Sequence, residues 1–159
     1  MVKMNKQTLL EKLKKARAEW DALLQTIDAE QMMHPGIGGE MSVKDVIAHI
    51  AWFEREMVAV LQQQALVGSP YWQLPTDERN ALIFAENRER PLTNIRAEAT
   101  TIFAQLVDAL AQFPHNDLSD PTLFRDMPLD WIPWQIIAQN SFEHYAHHQR
   151  DIEMWQKGK

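Results

Sequence analysis

Apolar residues recur at spacings of three and four along most of the chain. Leu9, Leu13, Ala16, Trp20, Leu23, Leu24 and Ile27 line one face, opposite Glu11, Lys14, Lys15, Asp21 and Gln25, which predicts a long amphipathic first helix. Pro35, Gly36, Gly38 and Gly39 then predict an irregular loop; no Lys-Ser/Thr pair follows these glycines, so they form no complete phosphate loop. Ser42 with Asp45 three residues on reads as a helix N-cap, flanked by Met41 and Val46 as a hydrophobic staple. This second helix runs to about Leu66 and stops at Val67, Gly68, Ser69 and Pro70, leaving Tyr71 and Trp72 in a loop, where they either cover a pocket mouth or, as the half-buried preference of Trp and Tyr favours, pack over the edge of the core. A short helix is expected from Asp77 to about Glu89, with Leu82, Ile83 and Phe84 as its apolar contacts. Beyond Pro91, Ile95, Ala99, Ile102, Leu106, Leu110 and Phe113 predict a third long helix ending at Pro114. The stretch from His115 to Asp130 has no sustained period and reads as a long loop. Trp131 to Trp155 reads as one continuous last helix, with Pro133 in its first turn. With no β-alternation, no repeat and no long heptad array, the pattern predicts an all-α bundle of four long helices and one extra short one.

The last helix carries the candidate chemistry. At about 100° per residue, Ile137, Ser141, His144, His148, Ile152 and Trp155 share a sector of roughly 80°, so His144 and His148 are expected to face inward. Two imidazoles four apart make a bidentate clamp. His49, at the edge of the stripe Val46, Ile50, Phe53 and Met57, is the best third donor, which would draw one site from two helices. His147 sits about 100° from the stripe centre and is expected to point sideways, while His34 and His115 fall in loops.

Composition narrows the classes. The 159 residues are 45% hydrophobic, enough for one sizeable core and short for two, so a single domain over residues 1–159 is expected. The net charge is −6 and the only basic run is Lys12, Lys14, Lys15 and Arg17, which argues against nucleic acid as a partner. Cysteine is absent, so thiol chemistry would need a small-molecule thiol. Without a signal-like N-terminus or an apolar run of about 20 residues, the expected location is the cytoplasm, away from any membrane.

Three neutral imidazoles suit a divalent transition metal and leave a coordination position open for water or substrate. Such an ion lowers the pKa of a bound water from about 16 towards about 7, or polarises an electrophile, with no protein nucleophile required. A histidine on an apolar face is also often a hydrogen-bonded core residue, and His49 alone would read that way. Ser141, one turn before His144, has no nucleophile elbow around it and reads as a small core residue. Glu54 and Glu143 read as solvated charges near the site, either of which is able to orient an imidazole.

The segments that carry these residues also carry a resemblance. Pro35, Gly36, Gly39, Glu40, Ser42, Val43, Lys44, Asp45, Ala48 and His49 resemble the PG-x-x-GE-x-SVKD-x-x-AH signature of the ClbS/DfsB family within the DinB-like superfamily. Asn80, Ile83, Phe84, Asn87, Arg88, Pro91 and Leu92 resemble its N-x-x-IF-x-x-NR-x-x-PL segment, and Asn140, Glu143, His144, Tyr145 and His148 its N-x-x-EHY-x-x-H motif. The match spans nearly the whole chain in order. Met41, Phe142 and His147 depart from it, standing where the family commonly has Trp, Tyr and an acidic residue.

The resemblance implies a DinB-like four-helix bundle with a long crossover, and a metal triad, commonly nickel or zinc, carried over here to His49, His144 and His148. It also implies two chemistries: transfer of a low-molecular-weight thiol, or the disarming of an electrophile, since the branch is named for a protein that protects against a cyclopropane genotoxin. The expected function is a metal-dependent detoxifying enzyme acting on a small electrophile, by hydrolysis or thiol transfer. Trp52, Phe53, Tyr145 and Ser141 are expected around the pocket and Glu143 and His147 behind the ligands. The alternative is a non-catalytic protein that sequesters a hydrophobic toxin or ligand in the bundle; the resemblance leaves room for a homodimer in either case.

Overall fold

The computed structural model describes residues 4–158, and the predicted helices before the last are present in it. Six α-helices form among the described residues: α1 Lys6–Gln25, α2 Val43–Gln63, α3 Thr76–Asn87, α4 Leu92–Gln112, α5 Pro133–Gln139 and α6 Phe142–Lys157. The architecture is a four-helix bundle built from α1, α2, α4 and the α5–α6 pair, with α3 as the extra short helix. Both α1 and α2 pack on α4 and on α6, so these two consecutive helices face each other across the bundle and are not direct neighbours. That arrangement needs long connections: residues 26–42 carry the chain from α1 to α2, and residues 113–132 carry it from α4 to α5.

Local chemistry sets the helix ends. Ser42 Oγ accepts from the Asp45 amide at 3.2 Å, and Asp45 Oδ2 accepts from the Ser42 amide at 2.9 Å, closing a capping box at the start of α2. α2 stops at Gln64, which adopts the left-handed conformation (φ +49°). The long loop after α4 is pinned by backbone bonds: Leu66 N–H to Arg125 O at 2.7 Å, Arg125 N–H to Gln64 O at 2.9 Å and Trp134 N–H to Leu118 O at 2.9 Å.

The continuous last helix expected from the sequence is in fact two. Asn140 Nδ2 donates to Ile136 O at 2.8 Å and Ser141 Oγ to Ile137 O at 2.5 Å, so side chains take up carbonyls of the preceding turn, and Ser141 leaves helical geometry (φ −139°, ψ −101°). The break resets the phase of α6. Tyr145 (1% exposed) and Ile152 (0%) lie on its buried face, while His144 and His148 lie half-buried at the edge of that face.

Two large hydrophobic clusters fill the bundle. One holds Trp20, Val46, Ile50, Ile95, Ile102 and Ile152; the other holds Leu9, Leu13, Leu61, Leu106, Leu110 and Ile137. A smaller one, Trp52, Phe53 and Ile83, is roofed by Tyr71 and Trp72 from the loop after α2.

Because the cap satisfies backbone donors at a buried helix start, Ser42→Ala is expected to lower unfolding free energy by about 1 kcal/mol. The change is to be read as a lower denaturant midpoint at unchanged slope.

Candidate functional site

α2 and α6 bring three imidazoles together. His49 Nε2 lies 3.1 Å from His144 Nε2, which lies 2.9 Å from His148 Nε2, and one ligand atom from each of the three falls within 4.8 Å of the others. Helical spacing places His144 and His148 one turn apart, and the packing of α6 on α2 supplies His49. Phe53, one turn after His49, closes one side, with its ring 4.9 Å from the rings of both His49 and His144.

The electrostatics keep these rings neutral. Burial, reinforced by neighbouring imidazoles, lowers His49 to about 3 and His144 to about 2; burial and His147 lower His148 to about 4. At neutral pH each ring therefore has a lone pair to offer. Nitrogens bound to one tetrahedral ion at about 2.1 Å sit about 3.4 Å apart, so the observed 3.1 and 2.9 Å need only a slight expansion to admit a divalent cation. His144 Nδ1 is buried with no partner, and His148 Nδ1 has the Asp151 carboxylate at 3.8 Å, too far for a direct hydrogen bond. The donor set fits the ion: three neutral nitrogens and no competing thiolate.

The other expected site residues are distributed differently. Trp52 and Phe53 meet edge to face in the aromatic cluster beside the histidines, 4.9 Å apart, and Trp72 joins them 5.5 Å from Phe53. Ser141 is 0% exposed and its hydroxyl is bound to Ile137 O, so it is part of the helix break and does not face a pocket. Glu143 is exposed, and so is His147, whose ring lies 5.1 Å from that of His148. Asp151, three residues after His148, is the carboxylate nearest a ligand's outer nitrogen. Its i, i+3 spacing was the available sequence signal.

Tyr145 and Glu54 require correction. Tyr145 does not line a pocket: it stacks on Trp20 at 5.8 Å and donates its hydroxyl to Glu54 Oε2 at 2.6 Å. Glu54 is 1% exposed and not a solvated charge. Arg17, expected in a surface basic run, turns inward instead, with Nη1 3.1 Å from Tyr145 Oη and 3.5 Å from Glu54 Oε1. Burial raises Glu54 to about 7 against the opposing pull of Tyr145 and Arg17, and burial together with Glu54 raises Tyr145. Arg17, Glu54 and Tyr145 thus join α1, α2 and α6 in one buried polar cluster.

A cleft of about 750 Å³ opens on the far side of Trp72. It lies between the second half of α2, the loop after α2 and the α5 region, reaching Asn140 one turn before His144. Nothing in the periodicity marks it, because most of its lining comes from loops and helix ends.

The sequence profile described as DinB superfamily matches residues 10–152. The chain belongs to the DinB superfamily. Solved structures with the same fold include an uncharacterised protein from Escherichia coli UTI89 (20% identity, TM-score 0.77, covering 98% of this chain and 94% of that one). The colibactin self-resistance protein ClbS, solved in complex with a double-stranded DNA, is also similar (15% identity, TM-score 0.77, 99% and 98% covered). A Streptococcus pneumoniae protein matches at 12% identity and TM-score 0.79, with 99% and 93% covered. No curated protein matches the chain. Among the described residues no helix is long and apolar enough to cross a membrane.

The shifted groups make stability depend on pH with a definite sign. Between about pH 4.5 and 6.5 an unfolded chain protonates His49, His144 and His148 while the fold does not; the fold keeps a proton on Glu54 that the unfolded chain releases. Near pH 5 to 5.5 these four groups leave the unfolded state with about two more protons, so stability of the metal-free protein rises with pH, by roughly 2–3 kcal/mol per unit there and by about 1 kcal/mol per unit near pH 6.5. Glu54→Gln removes the opposing proton, and the slope in urea titrations at stepped pH is expected to steepen.

Proposed function

We propose that the protein is a metal-dependent detoxifying enzyme of the ClbS-like branch that acts on a small electrophile. The observation that carries this reading is the convergence of three neutral Nε2 atoms from His49, His144 and His148. A divalent ion, nickel or zinc by the donor set, would supply Lewis-acid activation of water, of a low-molecular-weight thiol or of the electrophile itself. The chain's own residues hold and shield: the three imidazoles offer lone pairs, Phe53 covers one side of them, and Asp151 favours a proton on the outer nitrogen of His148. The serine and tyrosine nearest the histidines in sequence, Ser141 and Tyr145, are committed to structural hydrogen bonds, and the sequence has no cysteine.

The setting we assign is cytoplasmic, with no nucleic-acid partner. The DNA in the ClbS complex is the finding that runs against the second point. Supporting it are the net charge of −6 and the inward turn of Arg17, which leaves Lys12, Lys14 and Lys15 as the exposed remainder of the basic run. A second reading, sequestration without turnover, is favoured by one observation, the large cleft beyond Trp72.

Metal analysis of untagged protein separates the two. About one nickel or zinc ion per chain in the native protein is expected, lost in His144→Ala together with turnover of electrophilic test compounds such as epoxides or chloro-dinitrobenzene with a thiol. Full activity in the metal-free variant defeats the proposed metal dependence, and stoichiometric protection without product supports sequestration.

A further inference from the structure

The cleft beyond Trp72 has a chemistry of its own. Its floor is aliphatic, from Met57, Val60 and Ile136, and it carries two indoles, Trp72 and Trp131. The polar groups are mainly uncharged: the amides of Gln73, Gln135, Gln139 and Asn140. Its lining contains no lysine, arginine or histidine, and its one carboxylate, Asp130, is exposed and screened by water.

Trp72 is held in place and does not merely lie over the opening. Its Nε1–H donates to Glu56 Oε1 at 2.7 Å, the same oxygen that accepts from Ser69 N–H at 2.6 Å. Arg79 stacks on the indole at 4.8 Å while its own N–H groups are bound to the carbonyls of Tyr71 and Leu74, so that cation is occupied behind the wall. Gly68 leaves the room this needs: a Cβ there would fall 2.7 Å from Trp72 Cδ1 and 2.8 Å from Glu56 Oε1. A rigid indole offers a flat apolar face.

We infer that this cleft binds an uncharged ligand with a flat, conjugated body and amide or carbonyl groups, and that it rejects anions. A carboxylate or phosphate entering it loses hydration and meets no counter-charge, whereas a carbonyl or amide meets side chains that both donate and accept. The volume of about 750 Å³ suits a drug-sized molecule. Contact continues towards the histidines: Trp72 touches Phe53, whose ring meets His49 and His144, so two aromatic rings lie between a ligand seated here and the triad. As an assignment of substrate class the inference rests on the proposed detoxifying reaction; as a binding site it rests on the cleft alone.

Three probes of the same ring system test it: 2-naphthamide, 2-naphthoate and 2-naphthylmethylammonium, titrated into the full chain and followed by calorimetry. The amide is expected to bind at least about tenfold more tightly than the carboxylate, because the latter has no charged partner. Trp131→Ala, a substitution at an exposed position, is expected to weaken the amide about tenfold, and Gly68→Ala, which crowds Trp72, to weaken it several-fold. His144→Ala is expected to lose metal and keep the amide. Equal or tighter binding of naphthoate overturns the inference, as does tightest binding of the ammonium probe, which would make this a cation site. Indifference to Trp131→Ala, or loss of the amide with His144→Ala, overturns the cleft as its location. Metal retained in His144→Ala strikes at the proposed function alone and leaves the cleft untouched.

Discussion

Glu54 is a carboxylate that the fold takes almost wholly out of water, and the placement of the helices around it follows. A buried acid without partners is costly, so the helices that meet there must deliver partners in register: Arg17 from α1 and Tyr145 from α6. The consequence for the site is geometric. Tyr145 directly follows His144, and pointing its hydroxyl at Glu54 fixes the rotation of α6 about its own axis. With that rotation set, His144 and His148 meet His49 at the edge of the same α2–α6 contact. A polar tie in the core thus determines how three imidazoles meet nearer the surface.

The helix starts were the most legible part of the fold, because they depend on chemistry within a few residues. Ser42 and Asp45 close the cap that their spacing predicts, and Pro133 opens α5 where a missing N–H is harmless. The meeting of His49, His144 and His148 was legible as well, since an i, i+4 pair and an inward stripe need only one helix contact to become neighbours. The break at Asn140 and Ser141 was not. Both residues are ordinary inside a helix, and only the choice of their side chains to bind carbonyls four residues back interrupts it. Glu54 was misread for a different reason: it looks like a solvated charge on its own helix, and its burial exists only where three helices meet.

Much of the family signature is scaffold when seen in place. Gly36 and Gly39 adopt positive φ in the loop before α2, and a Cβ on Gly36 would lie 3.2 Å from Trp155 Nε1, so this loop seats against the end of α6. Lys44 donates to the carbonyls of Arg88 and Arg90, tying α2 to the turn between α3 and α4, and Asn87 caps that turn through Ile83 O and Arg90. His49, His144 and His148 stand apart from this group: their ring nitrogens face one another and not the backbone. The motifs therefore divide into residues that build the frame and residues held out by it.

The interruption between α5 and α6 also bears on how such a protein diversifies. The cleft takes residues from α5 and the loops, whereas the histidines of this region lie wholly on α6, beyond the joint at Asn140 and Ser141. A continuous helix would couple the two, since any rotation that reshaped one wall would turn the other with it. Two short helices with an independent phase decouple them. Lineages sharing this frame are then free to exchange one half of the tail for new ligand preferences while inheriting the other half unchanged.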